Sequence, residues 1–154
     1  MIPTNVDMNN PRKETPLYSI GTVARMLGVS VQTLRLYEAE GLLSPMKSPG
    51  GHRLYSALDI ERLECIRHAI TEEKIGIAGI RRMHSLIPCW QIAGCSQKER
   101  ASCPAYGEHT AGCWTYTHER NACAERQCRS CTVYIQSSTC AGIKEMIKNS
   151  TAQP

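Results

Sequence analysis

Along residues 17–87, apolar positions recur at helical intervals, and glycine or proline interrupts them where a helix would stop. Ile20, Val23, Ala24 and Leu27 share one face of a short helix, with Ser19 placed to cap its start and Gly28 just past its end. A second helix, capped by Ser30, carries Val31, Leu34, Leu36 and Tyr37 and ends at Gly41. A third is predicted over about 58–73, with Ser56 as its cap and Ile60, Leu63, Ile66 and Ile70 along one face. Gly76 separates it from a fourth, over 77–87, which ends before Pro88. Beyond Pro88 the helical pattern lapses into short loops punctuated by cysteine up to Cys140, followed by a short helix and tail over 142–154. The predicted fold class is mainly α.

The first two helices are linked only by Gly28 and Val29, a turn so tight that it carries the helix-turn-helix signature, in which the second helix enters the DNA major groove. Gln32, Thr33 and Arg35 are then the side chains best placed to reach base edges and phosphates. Residues 42–55 hold Pro45, Pro49, Gly50 and Gly51 between short extended pieces, which predicts a two-stranded wing bearing Lys47, His52, Arg53 and Tyr55. Strand alternation places Leu54 toward the helices and leaves Arg53 and Tyr55 outward, where phosphate oxygens can accept their hydrogen bonds.

Cysteine usage divides the chain. Cys65 stands alone in the first half, where it reads as a small buried side chain, and the other eight of the nine cysteines follow Pro88. The aromatic content is 5% with no Phe, so burial of apolar surface alone is too weak to hold the second half, and metal, cluster or disulfide must supplement it. Structural disulfides are rare in a reducing cytosol, which favours metal. Cys89, Cys95, Cys103, Cys113, Cys123, Cys128, Cys131 and Cys140 make two sets of four, the number that a thiolate zinc site or an iron-sulfur cluster requires. Cys123, Cys128 and Cys131 follow the C-x4-C-x2-C spacing of plant-type ferredoxins, with Cys140 as a fourth, yet structural zinc predicts similar spacing and the metal stays open. Which cysteines share a site is equally open. His84, His109 and His118 are further candidate ligands, Lys98, Arg100, Arg126 and Arg129 candidate charge-balancing groups, and Trp90 and Trp114 a small core around the site.

The net charge of +4 agrees with a DNA partner without requiring one. No run approaches the roughly 18 apolar residues of a membrane span, so a soluble cytoplasmic protein is expected. Residues 1–16, with three prolines and no apolar periodicity, read as a disordered arm. No nucleotide-binding loop, thioredoxin-like Cys-x-x-Cys or acid-base pair stands out, which argues against an enzyme.

Tyr18-Ser-Ile-Gly-Thr-Val-Ala-Arg-Met-Leu-Gly-Val-Ser, then Thr33-Leu-Arg-Leu-Tyr-Glu, Gly41-Leu-Leu-Ser-Pro, Gly51-His-Arg-Leu-Tyr and Asp59-Ile come in an order and register that resembles the MerR family of bacterial regulators. The resemblance covers roughly residues 17–85. It implies backbone contacts to DNA from Arg35, Arg53 and Tyr55, a helix tyrosine at Tyr37, a homodimer on palindromic promoter DNA, and RNA polymerase as an indirect partner that responds to DNA distortion. The family usually continues into a long dimerising helix, whereas here Pro88 and the cysteines intervene. Dimer contact then falls to the cysteine region or to the C-terminal segment with Ile143, Met146 and Ile147. The arrangement of Cys89-Trp90 and Cys113-Trp114 resembles the two-CW type of cysteine module attached to bacterial signalling proteins. The expected domains are 17–87 for DNA binding and 88–141 for the metal or cluster, making a regulator responsive to thiolate-bound metal. The alternative is a DNA-binding protein with purely structural zinc.

Overall fold

A computed structural model describes residues 11–108 and 110–151. Most of the arm expected to be disordered, residues 1–10, lies outside the described residues. From Pro11 the chain is ordered: Pro11–Lys13 forms a 3-10 turn, and Lys13 Nζ reaches Glu61 Oε1 at 3.1 Å.

The described residues are mainly helical. Strand β1 (Tyr18–Ser19) leads directly into α1 (Ile20–Leu27), whose first turn is capped by Ser19 Oγ accepting from the Thr22 amide. Gly28 ends α1 in the left-handed conformation, with φ at 65°. Helix α2 (Val31–Ala39) starts at Ser30, whose hydroxyl accepts from the Thr33 amide. Strands β2 (Met46–Lys47) and β3 (Arg53–Tyr55) follow, then α3 (Ala57–Thr71) behind a capping box in which Ser56 and Asp59 satisfy each other's backbone amides. Helix α4 (Ile77–Ser85) packs Ile80 into the same core as Val23, Leu27, Leu34, Leu42, Tyr55, Leu63 and Ile66.

The wing differs from the expectation in one respect. Its sheet has three strands in the order β1-β3-β2, with Tyr18 opposite Tyr55 and Met46 opposite Leu54. Strand β3 is therefore central, and Tyr55, flanked by β1 and leading into α3, is fully buried. The predicted outward direction for Tyr55 is corrected: it is a core residue, whereas Leu54 is only half-buried.

Beyond α4 come α5 (Cys89–Ile92), α6 (Gln97–Ala101), α7 (Pro104–Gly107), 3-10 turns at Cys113–Thr115 and Cys128–Ser130, α8 (Thr132–Gln136) and α9 (Cys140–Thr151). A second, smaller core gathers Ile87, Trp114, Val133, Tyr134 and Met146, with Ile143 and several cysteines against it. Met146 is 2% exposed, so the apolar face of α9 serves this core. Of the three residues expected to offer a dimer contact, only Ile147 is exposed. Among the described residues no helix is long and apolar enough to cross a membrane.

A candidate DNA face and a thiol cluster behind it

The residues expected to meet DNA fall into two groups. Gln32 and Arg35 on α2 and Lys47 and His52 on the wing are exposed, with Thr33 half-exposed between them. Arg53 is half-buried, its Nε donating to the Glu38 carboxylate. This pair joins α2 to β3 and fixes the direction in which the Arg53 side chain leaves the wing. Tyr37 and Tyr55, by contrast, are 6% and 0% exposed, so the structure turns both away from solvent. Burial raises the Tyr37 phenol above its ordinary value. Burial, reinforced by Glu38, pushes the Tyr55 phenol up to about 12.

Cys140 leaves the predicted ligand set: it is joined to Cys65 by a disulfide, with Cα atoms 6.3 Å apart. The expectation that Cys65 is merely a small buried side chain is corrected with it. The two were out of reach of any spacing argument, because 75 residues separate them.

The other seven cysteines are free and half-buried. Cys89, Cys95, Cys103 and Cys123 border one small void, and Cys113, Cys123, Cys128 and Cys131 border a second. Cys123 and His118 stand at both. His118 Nε2 lies 2.9 Å from the Cys113 carbonyl oxygen and Nδ1 lies 3.8 Å from Cys103 Sγ. Cys113 hydrogen-bonds Cys89, which holds the Cys89 thiol below its ordinary value; the same bond, together with burial, drives Cys113 upward. Burial, then the neighbouring Cys95, pushes Cys123 up to about 11. His109 lies outside the described residues. Among those described, no three donors converge at the spacing a bound ion demands. The donor set nevertheless fits a soft metal in kind and in number, since seven thiols and an imidazole exceed the four ligands of one tetrahedral site.

The cluster is docked on the first half of the chain through both backbone and side-chain atoms. Trp114, next to Cys113, donates from Nε1 to the Gly41 carbonyl at 2.9 Å. Tyr134 Oη accepts from the Ser44 amide at 2.8 Å. Arg129, between Cys128 and Cys131, makes a two-pronged ion pair with Asp59, Nη2 to Oδ2 at 2.7 Å and Nη1 to Oδ1 at 3.1 Å. Gly41 has φ at 74°, and a Cβ there would lie 2.6 Å from Thr115 Cγ2, so both backbone conformation and close approach call for glycine. Arg62 of α3 sits against the rings of Tyr134 and Trp114, 4.1 and 5.0 Å from their centroids. Sequence reasoning did not anticipate these contacts. The only signals in the sequence are Arg129 lying between two cysteines and Asp59 following a cap residue, and the charge-balancing role expected of Arg129 gives way to pairing with Asp59.

Two short helices across a tight turn, a wing and the α3–α4 pair make the first half a winged helix-turn-helix. Residues 18–86 match the family described as MerR HTH family regulatory protein, and this stretch is a MerR HTH domain. Similar proteins include one from Streptomyces coelicolor named as a heat shock protein, HspR, 42% identical over 74 residues, or 48% of this chain and 49% of that one. The HTH-type transcriptional regulator GlnR of Bacillus cereus is 32% identical over 76 residues, 49% of this chain and 58% of its own. The HTH-type transcriptional regulator ZntR of Escherichia coli is 41% identical over 54 residues, covering 34% and 38%. The chain thus spans about half the length of the relatives it matches.

Proposed function

We propose that this chain is a promoter-binding transcriptional regulator whose DNA affinity follows the state of a soft metal ion or iron-sulfur group held by its thiols. Gln32 and Thr33 on α2 read base edges, and Arg35 on α2 joins Lys47, His52 and Arg53 on the wing in contacting phosphates. The ligands come from Cys89, Cys95, Cys103, Cys113, Cys123, Cys128 and Cys131, with His118 as an alternative eighth donor. Residues 17–87 serve DNA binding and 88–141 hold the ligand set. The regulator acts as a homodimer on duplex DNA, and RNA polymerase responds to the shape of that DNA.

One observation carries the reading. The thiol cluster shares its short turns with Trp114 and Arg129, and these bond Gly41, just after α2, and Asp59, in the first turn of α3, on either side of the wing. A bound metal supplies neutralised, fixed thiolates. The chain's own residues do the rest: Trp114 holds the end of the DNA-reading helix, and Arg129 holds the start of α3. A change in how the thiols are arranged therefore reaches the spacing between α2 and the wing through two polar contacts, which is what a switch with two contact states needs. The voids, about 20 and 10 Å³, have the size of one water, so a single ion enters with less rearrangement than a multi-atom cluster.

Iron, acid-labile sulfide and zinc are measured on anaerobically purified protein, followed by anisotropy titrations against a duplex selected from a random pool. The expected result is stoichiometric metal and a DNA affinity that changes at least about tenfold on chelation, within the usual range of coupling between sites. Trp114→Phe should keep the metal and abolish the difference. Equal affinities with and without metal, in protein that stays folded, would reduce the metal to a structural role. Absence of iron and zinc would overturn the thiol site.

A further inference from the structure

Between α3, α4 and α9 lies a cleft of about 190 Å³, walled by Ile66, Ala69, Ile80 and Ile143 and bounded on one side by the Cys65–Cys140 disulfide. An engineered apolar cavity of about 150 Å³ takes up benzene, so the cleft has room for one six-membered ring with a substituent.

Two buried polar side chains that border this cleft carry nitrogen atoms without a hydrogen-bond partner among the described residues. Arg62 is 1% exposed; its Nη2 donates to Ser137 Oγ at 2.7 Å and to the Tyr134 carbonyl, while Nε and Nη1 are buried without a hydrogen-bond partner among the described residues. His84, 5% exposed, has Nδ1 in the same condition. Asp59, the carboxylate whose field reaches Arg62, gives both oxygens to Arg129. Glu73 also borders the cleft, but its side chain is 54% exposed and lies 3.6 Å from His68. A buried guanidinium with idle donors and no carboxylate of its own is costly to keep, and an anion relieves that cost. On its other side Arg62 meets a void of about 10 Å³, enough for one water at most.

We propose that the cleft binds a small monocarboxylate with a compact apolar body, its carboxylate against Arg62 and His84 and its ring or branched chain against Ile66, Ala69, Ile80 and Ile143. Burial and the charge of Arg62 push His84 down to about 3, so the imidazole is neutral and adds a donor without adding a second buried charge. The ligand spans both halves of the chain, since α3 and α4 belong to the DNA-binding half and α9 does not. The inference is independent of the thiol-metal reading and survives its failure.

The probe is sodium benzoate, with benzyl alcohol as its uncharged counterpart, titrated calorimetrically into the full chain as purified. Benzoate should bind one to one and benzyl alcohol at least about tenfold more weakly, because only the carboxylate makes charge-assisted hydrogen bonds. Ala69→Leu, which fills the cleft with apolar atoms, should remove benzoate binding and leave the circular dichroism spectrum unchanged. Isoleucine methyl NMR on the unaltered chain needs no variant: benzoate should shift Ile66, Ile80 and Ile143. No binding up to about 10 mM, an affinity of barely 3 kcal/mol, would overturn the proposal. So would equal affinity for the two probes, or methyl shifts confined to other isoleucines.

Discussion

Replacing Arg129 with alanine asks how much of the protein's stability depends on joining its two halves. The Asp59 side chain is 1% exposed and that of Arg129 23%. The variant leaves a buried carboxylate that still accepts from the Ser56 amide at 2.8 Å and the Ser56 hydroxyl at 3.0 Å. Removing one partner of a fully buried pair costs about 3–5 kcal/mol. Partial exposure of Arg129 and the surviving Ser56 bonds reduce this, and the expected loss is about 2–3 kcal/mol. At about 2–4 °C per kcal/mol for a chain of this size, the Tm should fall by roughly 5–10 °C. Urea unfolding of the native chain, Arg129→Ala, Asp59→Asn and the double variant, at equal metal content, gives the coupling directly. We expect at least about 1 kcal/mol of coupling, as for residues in one buried network. A coupling within about 0.3 kcal/mol of zero would refute the reasoning, and Arg129 would count as a surface residue that happens to lie near Asp59.

Gly41→Ala forces a Cβ onto a left-handed backbone and into Thr115; an expected loss of about 1–2 kcal/mol from the backbone alone, plus the clash, should be partly recovered in Gly41→Ala with Thr115→Ser, as read by thermal unfolding. Arg35→Ala should weaken binding to all duplexes alike and lower the slope of log K against log salt by about 1; an unchanged slope would remove α2 from the phosphate contacts. His84, held neutral by burial with its value pushed down to about 3, takes up a proton on unfolding below its ordinary value near 6.5, so stability falls as pH drops through that window. Between pH 7 and 5 the native chain should lose roughly 2 kcal/mol, and His84→Gln should lose less; equal pH slopes in urea titrations would show that His84 does not contribute.

The helices of the first half were legible because what specifies them is local. Ser19, Ser30 and Ser56 cap where the apolar spacing begins, and Gly28 and Gly41 stop α1 and α2 through their own backbone angles. Strand β1 was not legible: two residues carry no alternation, and its partner Tyr55 is brought to it only by the turn of the whole domain. That omission is also why Tyr55 was placed outside, since a two-stranded wing has no strand to cover it. In the second half, composition announced a thiol-rich region but not its internal partners. Cys113 rather than Cys140 joins Cys123, Cys128 and Cys131, because α9 carries Cys140 away to Cys65. Arg62 gave no signal at all, because a single arginine on an amphipathic helix has the same local pattern whether it meets water or lies beneath two aromatic rings.

The thiol region meets Gly41 and Ser44 through main-chain oxygen and nitrogen, at Gly41 O and Ser44 N, and these bonds involve none of the exposed side chains of α2. Gln32 and Thr33 can therefore change identity without altering what Trp114 and Tyr134 hold. On the proposed reading, a lineage carrying this arrangement can acquire new operator sequences one substitution at a time while the contacts to the thiol region stay intact, and a protein engineer can redirect it in the same way.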